Sequence, residues 1–434
     1  MRLETFKTIL LIGLIGLSLI LTFSLWSYQN EYNGPHNTNP AYIPESDAGG
    51  EVKTKRDVII PSKAIFHMDG QHYGFDHPSR LVNFYKEIQH WTLTEFVARE
   101  DNEFHLDTPY IEMNYPEAFP IEIIKSLFSL ADDIELPRWN FDQILFSLEE
   151  EKSAVSLYFL SVDERNYIHF TVYDQSAYLA VEGYLDQKKH LVEYTEYNTG
   201  HDSFYIPVRP PKLRNQTLTV DIVETNVFVD ALFKNPSVVV TPNIGESYFI
   251  DGQRDMRVVD NGLRLEFTNP LQNTSERMSS IEIIEQSLAD INDHKGWTSD
   301  FYVEGIEKSV NRIVYQMYYE DYPVFQDHAA ATTIEQQWRN QQLYKYNRPL
   351  FHIVSPLGGD EKELESGNDV IYFLEQMDKY HMEKVKDVKV GYYVTEIDGK
   401  QYSITLEPAW FVLYNGSWQR LKFDDLNAYD EGGM

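Results

Sequence analysis

The pattern of hydrophobic and polar positions divides the chain into one continuous apolar stretch and a long region of alternating and helical patterns. The stretch Thr8–Trp26 has no charged residue and is dominated by Leu and Ile. As a helix that rises 1.5 Å per residue, about 19 residues span roughly 28 Å, close to the thickness of a bilayer's hydrocarbon core. We therefore predict a transmembrane helix over residues 8–28.

The residues that flank this stretch predict an anchor that is retained, not a signal peptide that is removed. The stretch ends in SLWSYQNEY, so bulky side chains stand where a signal peptidase needs small ones. Trp26 and Tyr28 are predicted membrane-interface anchors, because amphipathic rings favour the headgroup level. Arg2 and Lys7 lie on the short side, so the positive-inside bias predicts a cytoplasmic N-terminus of residues 1–7 and an extracytoplasmic bulk.

Small and hydroxyl-bearing residues give the predicted helix two distinct faces. At about 100° per residue, Ser18 and Thr22 lie within one arc, and Gly13 and Gly16 lie on roughly the opposite side. Small residues let membrane helices approach closely, and hydroxyl groups can bond between helices. We predict these four residues as partner-binding positions. The alternative is that they are ordinary constituents of a membrane span.

Beyond the apolar stretch, the patterns predict an α+β fold of antiparallel sheets covered by helices. Residues 29–56 are rich in Asn, Pro and Gly, which predicts a flexible linker. Strand-like alternation then clusters around single helical patterns, as expected for helices layered on sheets. The predicted domains are an N-terminal α+β domain over 57–192, a middle α+β domain over 193–330 and a C-terminal α+β domain over 331–434.

Composition excludes several classes of function. The chain has 37 Lys and Arg against 68 Asp and Glu, a formal charge of −31, which repels nucleic acid. It has no cysteine, so disulfides, thiolate metal sites and a cysteine nucleophile are excluded. The sequence also lacks the H-E-x-x-H, G-x-S-x-G, S-x-x-K and phosphate-loop motifs. We predict no catalytic residue and no cofactor.

The best candidate for metal or catalytic chemistry is the segment HMDGQHYGFDH. If its DG pair forms a two-residue turn, His67 and His72 face each other across a hairpin, with Cβ atoms about 5 Å apart. His77 would then point to the other face of the strand. Asp76 would lie about 13 Å along the strand, and its position predicts the cap of the helix that follows. Because a third ligand is missing, we predict no metal site.

Three segments together resemble one known family. The single span that ends in SLWSYQ, the hairpin FHMDGQHYGF and the closing LEPAWFVLYNGSW resemble the YycH family. The resemblance implies a non-enzymatic, membrane-anchored accessory protein of the YycG/YycF (WalK/WalR) two-component system, which governs cell-wall homeostasis in Gram-positive bacteria. It implies two partners, the sensor histidine kinase YycG (WalK) and a YycI-like accessory protein, both contacted through transmembrane helices.

Two alternatives stay open at this point. An anchored extracytoplasmic protein could bind or hydrolyse the cell wall directly through its acidic domains. The sequence also leaves a homodimer open. Deleting the chain after residue 56 would separate the first alternative from a regulator, because only a regulator that works through its helix would keep some effect on the kinase.

Overall fold

The computed structural model describes residues 47–100, 104–163, 165–200, 203–233, 247–270, 276–327, 331–398 and 402–424. Within these ranges the strands form two large sheets and the helices pack against them, which confirms the predicted α+β class. The predicted transmembrane helix over residues 8–28 lies outside the described residues. Among the helices of the described ranges, none is both long enough and apolar enough to cross a bilayer.

The α-helices of the described ranges are short. They are α1 Lys55–Val58, α2 Pro78–Ile88, α3 Ile124–Leu127, α4 Gln175–Gln187, α5 Thr225–Leu232, α6 Ser280–Asn292 and α7 Gly367–Gln376.

The first sheet contains ten strands of the described chain, all from its N-terminal half. They are β1 Lys63–Met68, β2 Gln71–Phe75, β3 Thr92–Glu100, β4 Tyr110–Pro120, β5 Ser129–Leu130, β6 Asn140–Glu149, β7 Ala154–Ser161, β8 Asn166–Val172, β9 Leu191–Asn198 and β10 Ser203–Pro207. Their order across the sheet is β10-β9-β2-β1-β4-β6-β7-β8-β3-β5. All of these pairs are antiparallel except β3 with β5.

The second sheet contains thirteen strands of the described chain. They are β12 Gln216–Ile222, β13 Ser247–Asp251, β14 Arg254–Val259, β15 Arg264–Thr268, β16 Asp300–Glu307, β17 Arg312–Tyr319, β18 Tyr322–Phe325, β19 Thr333–Arg339, β20 Gln342–Pro349, β21 Phe351–Gly358, β23 Val385–Asp398, β24 Ser403–Tyr414 and β25 Ser417–Arg420. The main path is β13-β14-β15-β20-β19-β17-β18-β23-β24-β12-β21, with β16 beside β17 and β25 beside β24. A separate pair joins β11 Lys212–Arg214 to β22 Glu361–Glu363.

These sheets cross the predicted domain boundaries. β9 and β10 extend the first sheet to Pro207, beyond the predicted boundary at 192. Strands from the predicted middle and C-terminal domains alternate within the second sheet, where β15 pairs with β20 and β12 pairs with β24. The division into three domains stays a prediction, because shared sheets do not decide which parts fold independently.

Around β1 and β2, the described helices α2 and α4 pack on one face of the first sheet. Phe66 of β1 and Phe75 of β2 both pack against Tyr184 of α4, with ring centroids 5.7 and 5.3 Å apart. Phe84 of α2 joins the same cluster, 5.1 Å from Tyr184. Because side chains alternate along a strand, the residues between these aromatic positions point to the opposite face, towards the second sheet.

The second sheet is covered by α6, whose start and buried face both follow from its sequence. Ser279 caps the helix by accepting a hydrogen bond from the backbone N–H of Glu282, and the Glu282 carboxylate accepts one from the backbone N–H of Ser279. In the buried contact with the sheet, the Ser287 hydroxyl bonds to Gln336 and accepts from Tyr315, at 2.6 and 3.0 Å. The Ser287 hydroxyl is therefore paired as donor and as acceptor across the contact, whereas the buried side-chain nitrogen of Gln336 has no hydrogen-bond partner among the described residues.

The first described residues lie against the end of α6. Ala48 N donates to the carbonyl oxygen of His294 at 2.8 Å, and Glu51 N donates to that of Trp297 at 3.1 Å. The Asn292 side chain exchanges two hydrogen bonds with the backbone of Lys53. Residues 47–53 fall within the predicted flexible linker, so the C-terminal end of that predicted segment is hydrogen-bonded to the globular part.

Candidate functional site

The opposite face of the first sheet, which points towards the second sheet, contains the histidine pair predicted from the sequence. In the β1–β2 hairpin His67 pairs with His72, and across β1–β4 His67 pairs with Tyr110. Directly paired residues share a face, and so do residues two apart on one strand. Glu112 of β4 and Glu196 of β9 therefore join the two histidines on the same face.

The turn that brings the histidines together is the one predicted. Asp69 and Gly70 form a two-residue turn with φ of +52° and +72°, the left-handed pair that a type I′ hairpin turn needs. Asp tolerates this region and Gly enters it at no steric cost, which explains why a DG pair stands here. The predicted facing of His67 and His72 is confirmed.

Each histidine turns one nitrogen to its partner and the other towards a carboxylate. The two Nδ1 atoms are 3.0 Å apart. His67 Nε2 lies 3.0 Å from Glu112 Oε2, and His72 Nε2 lies 3.8 Å from Glu196 Oε2. The side chains of His67 and Glu112 are 5% and 13% exposed, whereas those of His72 and Glu196 are 25% and 40% exposed. The pair is therefore buried on one side and reaches solvent on the other.

Aromatic rings hold the imidazoles in place. The Tyr110 ring stacks on His67 with centroids 4.3 Å apart and an interplanar angle of 16°. Tyr205 of β10 packs against both imidazoles, 5.6 Å from His67 and 5.1 Å from His72. Burial raises the pKa of the Tyr205 hydroxyl far above its usual value, and the charges of Glu112 and Glu196 add to this. The Tyr205 hydroxyl therefore stays protonated, and its uncharged ring lines one side of the site.

Electrostatics keeps the buried carboxylate charged. Burial alone would raise the pKa of Glu112, but hydrogen bonds from His67 and Asn114 outweigh burial and hold that pKa below its usual value. Burial lowers the pKa of His72, and the neighbouring His67 lowers it further. The two Nδ1 atoms thus face each other, and a carboxylate lies beside the outer nitrogen of each ring.

Asp76 and His77, the other two polar residues of the segment, lie at the start of α2. The prediction that Asp76 caps this helix is wrong. His77, not Asp76, caps α2, because its Nδ1 accepts from the backbone N–H of Ser79 at 3.2 Å. Asp76 instead accepts from Arg80 Nε at 2.6 Å, one helical turn on. The imidazole can accept at the cap while the carboxylate reaches the first turn of the helix. In the described ranges, no group of three or more His, Asp or Glu side chains is arranged to hold a metal ion.

Two polar contacts join the first sheet, on the side of the histidine pair, to the second sheet. Lys63 Nζ of β1 lies 2.6 Å from Asp387 Oδ1 of β23, and the two side chains are 16% and 23% exposed. Glu117, at a bulge of β4, accepts a hydrogen bond from the backbone N–H of Ile306 at 2.9 Å. Burial raises the pKa of Glu117, which its hydrogen bonds only partly offset. The two sheets are therefore joined by partly buried charged groups.

A cavity of about 380 Å³ lies beside these contacts. Tyr194 and Tyr205 line it from the first sheet, and Tyr322, Val388 and Trp410 line it from the second. This volume falls within the range of small-molecule sites, and such sites are common between domains. Its mostly apolar lining suits an apolar group better than an ion.

The predicted partner-binding residues and interface anchors cannot be placed in this geometry. These six residues are Gly13, Gly16, Ser18, Thr22, Trp26 and Tyr28, and all lie outside the described residues. Conversely, three residues around the histidine pair were not predicted from the sequence. They are Glu112, Glu196 and Lys63. The available signal was a charged residue inside an aromatic strand, as in YIEMNY around Glu112. That signal does not reveal which histidine the carboxylate would meet.

Comparison with known proteins covers nearly the whole chain. The model of the YycH protein N-terminal domain matches residues 4–190, and that of the YycH protein C-terminal domain matches residues 201–428. The chain belongs to the YycH family. This confirms the resemblance drawn from the anchor, the hairpin and the closing strands.

A YycH sequence and a solved YycH structure, both from Bacillus subtilis, illustrate the likeness. The two-component system WalR/WalK regulatory protein YycH of Bacillus subtilis (strain 168) is 22% identical over 439 residues, which is 96% of each chain. The crystal structure of YycH from Bacillus subtilis matches 86% of this chain and 99% of its own, with a TM-score of 0.72 and 20% identity. At that identity the structural match establishes the shared fold.

Proposed function

We propose that this YycH-family protein is a non-enzymatic regulator of a WalR/WalK two-component system. In this proposal it is a single-pass membrane protein that modulates the sensor histidine kinase YycG (WalK) together with a YycI-like protein. The observation that carries the proposal is the family match from residue 4 to residue 428, with a relative that is named as a WalR/WalK regulatory protein. The match begins before the apolar stretch Thr8–Trp26, so the stretch is part of what the family shares.

The proposed route of regulation is contact between transmembrane helices. In lipid, helices gain little from hydrophobicity when they meet, so close packing and interhelical hydrogen bonds decide whether they associate. Each such contact contributes about 0.6 to 2 kcal/mol. About 1.4 kcal/mol changes an equilibrium tenfold, so a few contacts suffice to bias a kinase that has two states. Gly13, Gly16, Ser18 and Thr22 are the proposed contact positions.

The experiment is a bacterial membrane two-hybrid assay of residues 1–30 against the membrane-spanning helices of the kinase. The double variant Gly13→Leu, Gly16→Leu should reduce the signal at least tenfold, because the added side chains keep the helices apart. The matched control is Leu14→Phe with Leu21→Phe. These two residues are seven positions apart and lie on one side of the helix, between the two predicted faces. Their substitution should leave the signal within about twofold.

Truncation tests the proposal against a direct action of the extracytoplasmic part. A chain that ends at residue 56 should keep a measurable effect on a kinase-dependent reporter if helix contacts deliver the signal. A wall-binding protein or a hydrolase would lose its whole effect on truncation. The proposal fails if residues 1–30 give no two-hybrid signal and the truncated chain has no effect on the reporter.

A further inference from the structure

The Nδ1 atoms of His67 and His72 face each other at 3.0 Å, and a carboxylate lies beside each outer nitrogen. The carboxylate of Glu112 can only accept, and the Asn114 side-chain N–H already donates to its Oε1 atom at 2.7 Å. The 3.0 Å contact to Glu112 Oε2 therefore requires the N–H of His67 on Nε2. With its proton on Nε2, His67 presents a lone pair on Nδ1, and this atom lies 3.0 Å from His72 Nδ1.

His72 has the same arrangement with a looser outer contact. Its Nε2 points towards Glu196 at 3.8 Å, a distance that leaves this carboxylate without a good hydrogen bond from the ring. If the His72 proton sits on Nδ1, it satisfies His67 but leaves Nε2 bare beside Glu196. If it sits on Nε2, it satisfies Glu196, and then two lone pairs face each other. A cation that accepts both Nδ1 lone pairs, beside the line that joins them, removes this conflict, because the His72 proton can then sit on Nε2 next to Glu196.

We propose that His67 and His72 bind one divalent transition-metal ion of the Zn²⁺, Ni²⁺ and Cu²⁺ group through their Nδ1 atoms. Glu112 and Glu196 accept from the outer Nε2–H groups, and water completes the coordination shell. On binding, the single ring proton of His72 moves from Nδ1 to Nε2, so no proton is gained or lost.

The geometry fits such an ion. Metal–nitrogen bonds to histidine are about 2.0 to 2.1 Å long, so two nitrogens 3.0 Å apart subtend slightly more than 90° at the metal. That angle suits square-planar or octahedral sites and is somewhat narrow for a tetrahedral one. Carboxylates on the outer nitrogens of metal-bound histidines fix the ring orientation. Glu112 is at hydrogen-bond distance from His67 Nε2, and Glu196, at 3.8 Å from His72 Nε2, would have to move closer on binding. The two remaining sides of the site are Tyr110 and Tyr205, which hold the rings still.

The choice of metal follows from the ligands. Neutral imidazole suits Zn²⁺, Cu²⁺ and Ni²⁺, whereas Mg²⁺ and Ca²⁺ prefer oxygen ligands. Two protein ligands are fewer than the four of a structural zinc site, so the metal is exchangeable and not a permanent part of the fold. The side chains of His72 and Glu196 are the more exposed half of the site and give an ion a way in from solvent.

The test uses the purified full-length chain in detergent, with isothermal titration of CuCl2, NiCl2, ZnCl2, MgCl2 and CaCl2. We expect saturable binding of one Cu²⁺, Ni²⁺ or Zn²⁺ per chain, tightest for Cu²⁺ as the general affinity order requires, and no binding of Mg²⁺ or Ca²⁺ at this site. Electron paramagnetic resonance of the Cu²⁺ complex should show two coordinated nitrogens.

Variants assign the binding to this pair. His72→Ala changes the more exposed histidine, so the chain should still fold, and should lose at least tenfold in affinity together with one coordinated nitrogen. Glu196→Gln should weaken binding about tenfold, the lower end of the loss seen for outer-shell partners. The control His90→Ala removes an exposed histidine after α2 and should change nothing. Circular dichroism of each variant without metal shows that it is folded.

Two results would overturn the proposal. One is the absence of saturable Cu²⁺, Ni²⁺ or Zn²⁺ binding to the wild-type chain. The other is binding that survives His72→Ala unchanged, which would place the metal on other histidines. Neither result depends on whether the protein regulates a kinase.

Discussion

The buried His294 should make the second sheet sensitive to mild acid. This side chain follows α6, and its residue is 2% exposed. Its Nε2 lies 3.0 Å from the Tyr346 hydroxyl, which also accepts from Arg348 Nη1 at 3.0 Å. The tyrosine hydroxyl therefore donates to a neutral imidazole. Burial, with the charge of Arg348 adding to it, lowers the pKa of His294 from 6.5 to about 3.

The sign and size of the effect follow from proton linkage. Between pH 6.5 and pH 3 the unfolded chain binds a proton on this histidine that the folded chain does not bind. The stabilising contribution is thus complete above pH 6.5 and is lost as the pH falls. From pH 7.5 to pH 5, linkage gives a loss of about 2 kcal/mol in the free energy of unfolding.

The measurement is urea unfolding of wild type and His294→Gln at several pH values, followed by tryptophan fluorescence. Trp297 is buried close to the histidine and reports on the same region. Glutamine cannot gain a proton, so the difference between the two chains isolates this group from all other titrations. That difference should change by about 2 kcal/mol between pH 7.5 and pH 5. Curves that run parallel within about 0.5 kcal/mol would refute a buried neutral His294.

Four further substitutions, at three positions, test the packing and the capping of helices. Gly74→Ala would place a Cβ atom 2.5 Å from the Tyr194 ring, so we expect a loss of about 1 to 3 kcal/mol in urea unfolding. Gly183→Ala, in α4 with open space around it, should instead stabilise by up to about 1 kcal/mol, and a loss there would contradict the described packing. Ser279→Ala removes the cap of α6 and should cost about 1 kcal/mol, with Ser279→Thr nearly neutral in the same assay.

Local features of this chain were predictable because their causes lie within a few residues. The DG pair specifies a left-handed two-residue turn, and that turn alone sets the register that makes His67 face His72. The cap of α6 was not among the predictions, but its cause is equally local, since Ser279 and Glu282 satisfy each other three residues apart. Here the sequence contains both the group that needs a partner and the partner.

The environment of the histidine pair was not predictable in this way. Glu112 and Glu196 reach it from β4 and β9, and only the strand order β9-β2-β1-β4 makes these strands neighbours. That order depends on the burial of whole faces and not on any local signal. The prediction that Asp76 caps α2 was wrong for a related reason. His77 is one position closer to the helix, and Asp76 is taken by Arg80.

The order of strands also determines how much of the chain must be synthesised before each sheet can close. All strands of the first sheet come from residues up to Pro207, so this sheet can be completed while the remainder is still emerging. The second sheet places β12 between β21 and β24, two strands that lie more than a hundred residues further along the chain. Pairings of such sequence separation form slowly. A chain that ends before Ser403 would lack β24, so one edge of β12 would be unpaired. Such a chain would combine a complete first sheet with an incomplete second sheet, and we expect proteases to degrade it.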